Sequence, residues 1–589
     1  MEAATVDNAC LVASSLSGRR WSLRAHDARA AQALSRELEL PELLARVLLS
    51  RGVTLETAER FLSPSLKASL PDPSHLKDMD EAAERIAGAL MQGETIAIFG
   101  DYDVDGATSS ALLRKYFHML GRDALLYIPD RMREGYGPNE AALMQLKERG
   151  ASVVITVDCG TQAHQALAAA HAAGLDVIVV DHHIGASQRP QAFAIINPNR
   201  LDETSPHRHL AAVGVAFLLA VAVTRQLRRH SWFATRPEPE LLTLLDLAAL
   251  GTVCDVVALT GVNRALVAQG LKVMAGRANC GLRALMDVAR VDEPPGTYHA
   301  GFILGPRINA GGRVGKADYG ALLLSGADEA EMLTLARALD GYNEERKAIE
   351  AMVLEEALAM AEAQAVGAPV LLVAKAGWHP GVIGIVAGRL KERFHRPAAV
   401  VALDGATGKA SARSVAGFDF GAAVLAAVEA GLLVSGGGHA MAAGFTAEAA
   451  CLPALHTLLC ERFARHGVAA SAPMHVDGVI ALSGVTVELA QLLGKAAPFG
   501  QGNPEPRLMI HRASVAAADC VGGNHIRLIL IDENRVRLPV MAYRAAGTAF
   551  GEALQRLCGR QVHAAGHVRA RMWQGTEQAA FTLDDIALA

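Results

Sequence analysis

The chain has 589 residues, of which 51% are hydrophobic and 20% charged, and its 56 basic against 61 acidic side chains give a formal net charge of −5. That length is roughly four times a ~150-residue domain, so three or four domains are expected, and the composition excludes a mainly disordered or low-complexity protein. The overall charge carries no bulk signature of nucleic-acid binding, although a locally positive groove stays compatible with a polyanionic substrate because the field in a cleft follows local charge placement.

Nothing after Met1 reads as a basic segment before an apolar one, so a cytoplasmic location is expected. The longest apolar run, 210–223, has 14 residues, short of the ~20 needed to cross a bilayer, so no membrane partner is expected. The eight cysteines include no CxxC pair, which argues against a disulfide framework or a structural zinc site.

Residues 1–75 mix short helical patterns with Pro41, Pro64, Pro71 and Pro73 and form an N-terminal accessory segment. Within 76–327 the pattern becomes short β-rich runs at 94–100, 152–157, 177–180 and 192–196, alternating with helical stretches such as 161–173, which stops at Gly174. Strand, helix and strand in quick succession predict an α/β domain with a parallel sheet. Residues 328–366 predict a long connecting helix, interrupted near Gly341, of roughly 55–60 Å at ~1.5 Å per residue. A second, glycine-dense α/β domain follows at 367–460. Residues 461–589 pass through a turn-rich stretch, 498–506, into short alternating strands that predict an OB-like β-barrel. Its Arg507, Arg512, Arg527, Arg535, Arg537, Arg544, Arg569 and Arg571 suit a phosphate-tracking groove, and Tyr543, Phe550, Trp573 and Phe581 are candidate stacking platforms. A solvated barrel surface with core aromatics fits the same composition.

Chemistry concentrates where strands end. Gly100-Asp101-Tyr102-Asp103-Val104-Asp105-Gly106 follows the first apolar run; if extended, its three acids present carboxylates to one side. A solvated acidic turn is equally compatible with this segment alone. An EF-hand is excluded, because position 12 of that loop is Leu112 where a bidentate Glu is required. Asp158 closes the second run, Asp181-His182-His183 closes the third, and Asp255 follows a helical stretch at 241–250. A lone strand-end Asp is often a helix cap. Three successive parallel strands ending in acids or histidines, however, place those groups at the sheet edge where ligands bind. Several carboxylates with one or two imidazoles suit Mn²⁺ or Mg²⁺, and a pair of such ions supports phosphoester hydrolysis.

The order Asp-x-Asp-x-Asp-Gly, Val-Asp-Cys-Gly, Asp-His-His and Gly-Thr-Val-Cys-Asp resembles the DHH phosphoesterase family. Gly305-Pro306-Arg307-Ile308-Asn309-Ala310-Gly311-Gly312-Arg313, Gly377-Trp378-His379-Pro380-Gly381, Ser411-Ala412-Arg413-Ser414, Gly436-Gly437-Gly438-His439 and Pro498-Phe499-Gly500-Gln501-Gly502-Asn503-Pro504 extend the resemblance from about 80 to 589, toward its single-strand-specific exonucleases. The resemblance implies a catalytic DHH domain and a DHH-associated substrate-binding domain joined by the long helix, with an OB-like DNA-binding barrel after them. It implies a two-metal, 5′→3′ exonuclease of single-stranded DNA that releases 5′-mononucleotides in repair and recombination. Asp103, Asp105, Asp158, His182 and Asp255 are the implied metal ligands, Asp158 bridging, with His183 contacting or protonating substrate. Many members carry a metal-binding His four residues before the position of Asp103, where this chain has Phe99; one metal site is then weaker, or completed by Asp101 or water.

Substrate contacts are implied for Arg307, Asn309, Arg313, His379, Ser411, Arg413, Gly437, Gly438 and His439, with Arg307 and Arg313 flanking a flexible Asn309–Gly312 stretch and Arg131 and Arg133 as further candidates. Arg307, Ser411 and Arg413 are expected to form a pocket for the 5′-terminal phosphate. Single-stranded DNA is the expected partner, with a single-strand-binding protein and a helicase as candidate protein partners. The alternatives are a DHH enzyme acting on short oligonucleotides or cyclic dinucleotides, and a non-catalytic single-strand-binding scaffold. The barrel argues against the first and the clustered acids, which repel phosphate, against the second.

Overall fold

Near-continuous Val, Ile and Ala runs build strands Thr95–Gly100, Ala151–Val157, Asp176–Val180 and Ala194–Ile196, and a short edge strand, Leu125–Tyr127, adds a fifth. All pair in parallel, in the order 125–127, 95–100, 151–157, 176–180, 194–196. The runs lack alternation because the sheet is covered on both faces, as parallel sheets are. In this computed structural model, residues 10–185, 187–466, 473–573 and 575–589 are described, without the side chains of Ala365 and Trp573. They divide into two compact units, one comprising Pro73–Asp255 and Val273–Ala470, the other Met1–Asp72, Val256–Lys272 and Ser471–Ala589.

In the first of these, helix Glu329–Ala365 runs 37 residues from its Asp328 cap, about 55 Å at ~1.5 Å per residue. The expected break at Gly341 does not occur. That glycine is exposed and meets nothing within 4 Å, so its cost of about 1 kcal/mol relative to Ala is carried by the surrounding turns. The helix leads into a five-stranded sheet ordered Ser435–His439, Ala442–Glu448, Thr407–Arg413, Ala398–Asp404, Leu371–Ala376. Period-two burial splits its core. Leu372, Ala399 and Val401 face Phe420, Val424 and Leu455, while Leu371, Val373 and Val400 face Val386, Leu390 and the long helix's Val353 and Ala357. Gly436–Gly438 is an edge strand here rather than a free loop, and Gly438, at φ +148°, has no room for a Cβ against the Ala442 carbonyl oxygen, 2.4 Å away.

In the other unit, Leu508–Val521, His525–Ile531, Arg537–Ala542, Thr576–Leu588 and Gln561–Trp573 close into a barrel, because Leu508–Val521 pairs with both its neighbour and Gln561–Trp573. The accessory segment shares this barrel's core: Leu44, Val47 and Leu48 cluster with Leu508, Ile526 and Leu528, and Cys10–Val12 and Trp21–Leu23 form a sheet with Met474–Val476. The 498–506 stretch has a structural task. The backbone carbonyls of Ala496 and Ala497, just before it, and of Pro498, its first residue, accept from the Arg264 guanidinium at 3.0, 2.6 and 3.3 Å, and the Gln501 carbonyl accepts from the Leu259 N–H at 2.8 Å.

Buried Asp585 pins the amino-terminal strands to the barrel's last strand, accepting from Ser15 Oγ and Ser17 Oγ at 2.6 Å each and from Trp21 Nε1 at 3.1 Å. Asp585→Ala strands those donors, at about 1–3 kcal/mol for a buried one. Thermal unfolding is expected to fall by several degrees, read by differential scanning calorimetry.

Candidate active site

The acids gather at the carboxyl edge of the parallel sheet, by a route other than simple alternation. Helix Val104–Met119 starts inside the acidic motif, with Asp103 as its N-cap, accepting from Gly106 N at 3.0 Å. Asp105 therefore lies in the first helical turn, not on an extended strand. There it also accepts from the backbone N–H groups of Ala212 and Val213 at 2.7 and 2.9 Å, at the start of helix Ala212–Arg229. Gly106 and Gly251 are required by closeness: a Cβ would stand 2.4 Å from the Asp101 carbonyl oxygen and 2.9 Å from Asp105 Oδ1, respectively. Asp158 turns the chain after its strand at φ +61°, a left-handed conformation that is strained for most residues and tolerated by Asp.

His182 Nε2 stands 3.2 Å from Asp158 Oδ1, 3.5 Å from Asp255 Oδ2 and 3.9 Å from Asp105 Oδ2. Three groups have ligand atoms all within 4.8 Å of one another: Asp101, Asp103 and Asp158; Asp105, His182 and Asp255; Asp158, His182 and His183. Asp101 Oδ1, Asp158 Oδ1, His182 Nε2 and Asp255 Oδ2 are buried without a hydrogen bond. Buried polar atoms are rarely left so, and four together, mostly carboxylate oxygen, fit hard divalent cations. Burial first and neighbouring acids second push Asp105 up to about 7 and Asp255 up to about 9, and raise Asp101 and Asp158 as well. Cations relieve this repulsion. Phe99 offers no ligand: it is buried in the sheet core, stacked on Tyr127 at 5.3 Å.

A further set of residues orients the histidines, and sequence reasoning assigned them no role. Asp181 Oδ1 accepts from His183 Nδ1 at 2.7 Å and from the N–H groups of His182 and His183 at 2.7 and 3.1 Å, while Oδ2 accepts from Thr161 N at 3.1 Å. Burial opposes charge on both partners, yet this bonding holds Asp181 below its usual range and raises His183 to about 9. Asn197 and Asn199 grip the His183 and His182 carbonyl oxygens at 2.8 and 2.5 Å. Tyr136 Oη donates to the Asp158 carbonyl oxygen at 2.9 Å. Asp181 was legible as the first residue of its Asp-His-His run; Tyr136 had no local signal. Asp181→Asn is expected to lower kcat by about 10–100-fold, the usual cost of losing an orienting partner, with folding retained; steady-state kinetics and melting curves read both.

Within the same unit the arginines form a positive cluster. Burial first, then the charges of Arg131, Arg346 and Arg413, lowers Arg313 to about 10, and burial followed by Arg131 lowers Arg413. Arg313 sits in the last turn of helix Gly305–Val314, which absorbs the stretch expected to be flexible; Gly312 lets it pack on Tyr102, whose carbonyl oxygen would lie 3.0 Å from a Cβ. Arg313 NH1 donates to the Gly381 carbonyl oxygen at 3.0 Å, and His379 Nδ1 accepts from Gly381 N at 3.0 Å. Ser411 accepts from Arg413 NH1 at 3.4 Å, and a Cβ on Gly384, at the start of helix Ile383–Phe394, would stand 2.9 Å from Ser411 Oγ. A cavity of about 270 Å³ opens here, lined by Arg313, Gly384, Arg389 and Arg413 among others. Arg307 does not join it: its guanidinium pairs with Asp340 at 2.9 Å and donates to the Ile303 carbonyl oxygen at 2.8 Å. Asn309 is half-buried, and Gly437, Gly438 and His439 lie along the open sheet edge.

On the barrel, Arg507, Arg527 and Arg569 pair with Asp584, Asp519 and Glu505, while Arg512, Arg535, Arg537 and Arg544 are exposed and make no ion pair among the described residues. Phe581 and Phe550 belong to the core, Tyr543 is exposed beside Arg571, and the Trp573 side chain lies outside the described residues.

A parallel sheet edged by Asp and His ligands, with an arginine-rich second domain across a long helix, defines a metal-dependent phosphoesterase of the DHH type. Residues 95–252 match the DHH family, N-terminal domain, 367–465 the DHHA1 domain and 476–585 the RecJ OB domain. The chain is 35% identical to the single-stranded-DNA-specific exonuclease RecJ of Bacillus subtilis over 97% of its own length and 71% of that protein's. It superposes on crystal structures of RecJ from Thermus thermophilus, with Mn²⁺ at a TM-score of 0.80 and 30% identity, covering 96% of this chain and 79% of that one, and with Mg²⁺ at 0.75 and 28%, covering 97% and 78%. The chain belongs to the RecJ family of single-stranded-DNA-specific exonucleases.

Proposed function

We infer that this chain is a metal-dependent exonuclease specific for single-stranded DNA, working 5′→3′ and releasing 5′-mononucleotides in DNA repair and recombination. The observation that carries the reading is the convergence of four buried ligand atoms without a hydrogen bond, on Asp101, Asp158, His182 and Asp255, in the same unit as an arginine-lined cavity. Mn²⁺ or Mg²⁺ is the cofactor; when bound, such ions activate water and stabilise developing charge on a phosphodiester. In our reading Asp101, Asp103 and Asp158 hold one ion, Asp105, His182 and Asp255 the second, and Asp158 is shared. His183, with Nδ1 fixed by Asp181, presents Nε2 to the substrate and supplies a proton to the departing oxygen. Arg131, Arg313, Ser411 and Arg413 bind the terminal phosphate, with His379 and Asn309 positioned beside them and the edge strand Gly437–His439 along the strand's path.

Single-stranded DNA is the partner; a single-strand-binding protein and a helicase are the protein partners we propose, and the cytoplasm the compartment. Among the described residues no helix is long and apolar enough to cross a membrane. Incubation with Mn²⁺ and end-labelled single- and double-stranded DNA is the test. Labelled mononucleotide should appear early from the 5′ end of single strands alone. Early release from a 3′ label, equal attack on duplex, or faster turnover of cyclic dinucleotides would each replace this reading.

A further inference from the structure

Residues 130–137 follow the edge strand Leu125–Tyr127 and meet the candidate site twice. Near the start of this loop the Arg131 guanidinium lies 5.2 Å from the centroid of the Tyr102 ring, between Asp101 and Asp103 in sequence, and its charge acts on both Arg313 and Arg413. Near its end one hydroxyl serves two partners. Tyr136 Oη donates to the Asp158 carbonyl oxygen at 2.9 Å and, with its proton so committed, faces His183 Nδ1 at 3.2 Å as an acceptor. The backbone of the proposed shared ligand and the imidazole proposed to supply a proton are thus tied to one side chain.

Between these contacts the loop is braced. The Asp130 carbonyl oxygen accepts from the N–H groups of Arg133 and Glu134 at 3.2 and 2.8 Å, closing a turn that contains Arg131. The Glu134 carboxylate accepts from Asp130 N and Tyr127 Oη at 2.7 Å each and from Asn139 Nδ2 at 3.2 Å. A turn so bonded moves as one piece. Tyr136 follows it between Gly135 and Gly137, at φ +85° and +79°, conformations that glycine reaches without steric cost. Gly135 meets nothing within 4 Å, whereas a Cβ on Gly137 would stand 3.9 Å from that of Cys159, the neighbour of Asp158.

We propose that loop 130–137 couples end recognition to cleavage: a terminal phosphate drawn to Arg131 settles the loop, and Tyr136, as a positioning residue, then holds Asp158 and His183 in register. The proposal rests on the reading of the chain as a nuclease whose phosphate pocket includes Arg131. A ligand shifts a loop only through contacts that differ between its positions, and the Arg131 contact is that difference. Each cut that releases a 5′-mononucleotide leaves a 5′-phosphate on the remaining strand. A hydroxyl end is therefore slow only at its first cut, and an internal diester, which does not reach Arg131 as a terminal group, leaves the loop unsettled.

The experiment compares 5′-phosphorylated and 5′-hydroxyl single strands with Mn²⁺, reading the maximal rate of the first cleavage and the half-saturating strand concentration. Wild type should cleave the phosphorylated strand faster at saturation by about tenfold or more, the worth of an orienting partner, and bind it more tightly. Tyr136→Phe should bring the two maximal rates together while keeping the affinity difference. Arg131→Ala should lose both, and Arg131→Ala/Tyr136→Phe should lose no more of the rate ratio than either alone. In EDTA, the phosphorylated strand should slow hydrogen exchange at the amides around Asp158 in wild type and not in Tyr136→Phe. Equal maximal rates in wild type, a Tyr136→Phe loss of the same factor on both strands, or undiminished protection around Asp158 in that variant would overturn the coupling. If wild type degrades no single strands, or binds phosphorylated ends no more tightly than hydroxyl ends, the functional reading itself fails, a result distinguishable from those three.

Discussion

Asp158→Asn is expected to remove hydrolysis almost entirely, by more than about a thousandfold in kcat, because losing even an orienting partner costs ~10–100-fold and this oxygen is central to the proposed ligand set. Asn is the informative substitution. Residue 158 sits at φ +61°, where Asn is tolerated and Ala is strained, and the Tyr136 hydroxyl is held by the backbone carbonyl, which either side chain leaves in place. The fold should survive. In EDTA the variant should melt at or above the wild-type temperature, since one of a set of mutually repelling buried acids becomes neutral. Added Mn²⁺ should raise the melting temperature of wild type more than that of the variant, because an ion that binds only the folded state stabilises it in proportion to its affinity. Near-wild-type turnover, or an equal Mn²⁺ shift in both proteins, would remove Asp158 from the metal centre.

The catalytic sheet was legible because it is local. Runs such as 152–157 and 177–180 carry their own β-forming composition and end in the acids that the parallel topology then places side by side. The same locality misled at three points. Asp101, Asp103 and Asp105 share a side only if their segment is extended, and a solvated turn fits it equally well by sequence, whereas the helix starts at Val104 and Asp105 is fixed by the N–H groups of Ala212 and Val213, contacts more than a hundred residues away. Gly311 and Gly312 suggested flexibility, but they are helical and small because Lys316 and Tyr102 pack against them. The sequence puts Arg307, not Arg313, in the phosphate pocket with Ser411 and Arg413, whereas Asp340 on helix Glu329–Ala365 captures Arg307 and it is Arg313 that lines the cavity with Arg413.

Long-range packing also hid the role of the accessory segment. Its short helical patterns point to no partner by themselves, and their partner, the barrel wall around Leu508 and Leu528, lies more than 400 residues later. A truncation near residue 465 therefore does more than remove a DNA-binding surface: it uncovers Leu44, Val47 and Leu48. Substitution of the exposed, unpaired Arg512, Arg535, Arg537 and Arg544 is the cleaner way to weaken strand affinity and flatten its salt dependence.

Arg413→Ala is expected to lower kcat/KM on 5′-phosphorylated strands by about 10–100-fold, the worth of a charge-assisted hydrogen bond of ~1.5–3 kcal/mol, and on 5′-hydroxyl strands by no more than a few-fold. A terminal phosphate carries more negative charge than an internal diester. In the proposed pocket, where Arg131 and Arg413 crowd Arg313 and Ser411 stands beside Arg413, it would gain most. Three neighbouring guanidinium groups repel one another, so the cluster is costly without an anion and selects the ligand with the greatest charge. The internal control is Arg307→Ala. Its partner is Asp340 at 2.9 Å, so this variant should lose thermal stability and leave the ratio of the two rates unchanged. Competition rates on strands differing only at the 5′ end read the ratio directly. A loss in Arg413→Ala that is equal on both substrates would assign Arg413 to general backbone binding, and a changed ratio in Arg307→Ala would return Arg307 to the phosphate pocket.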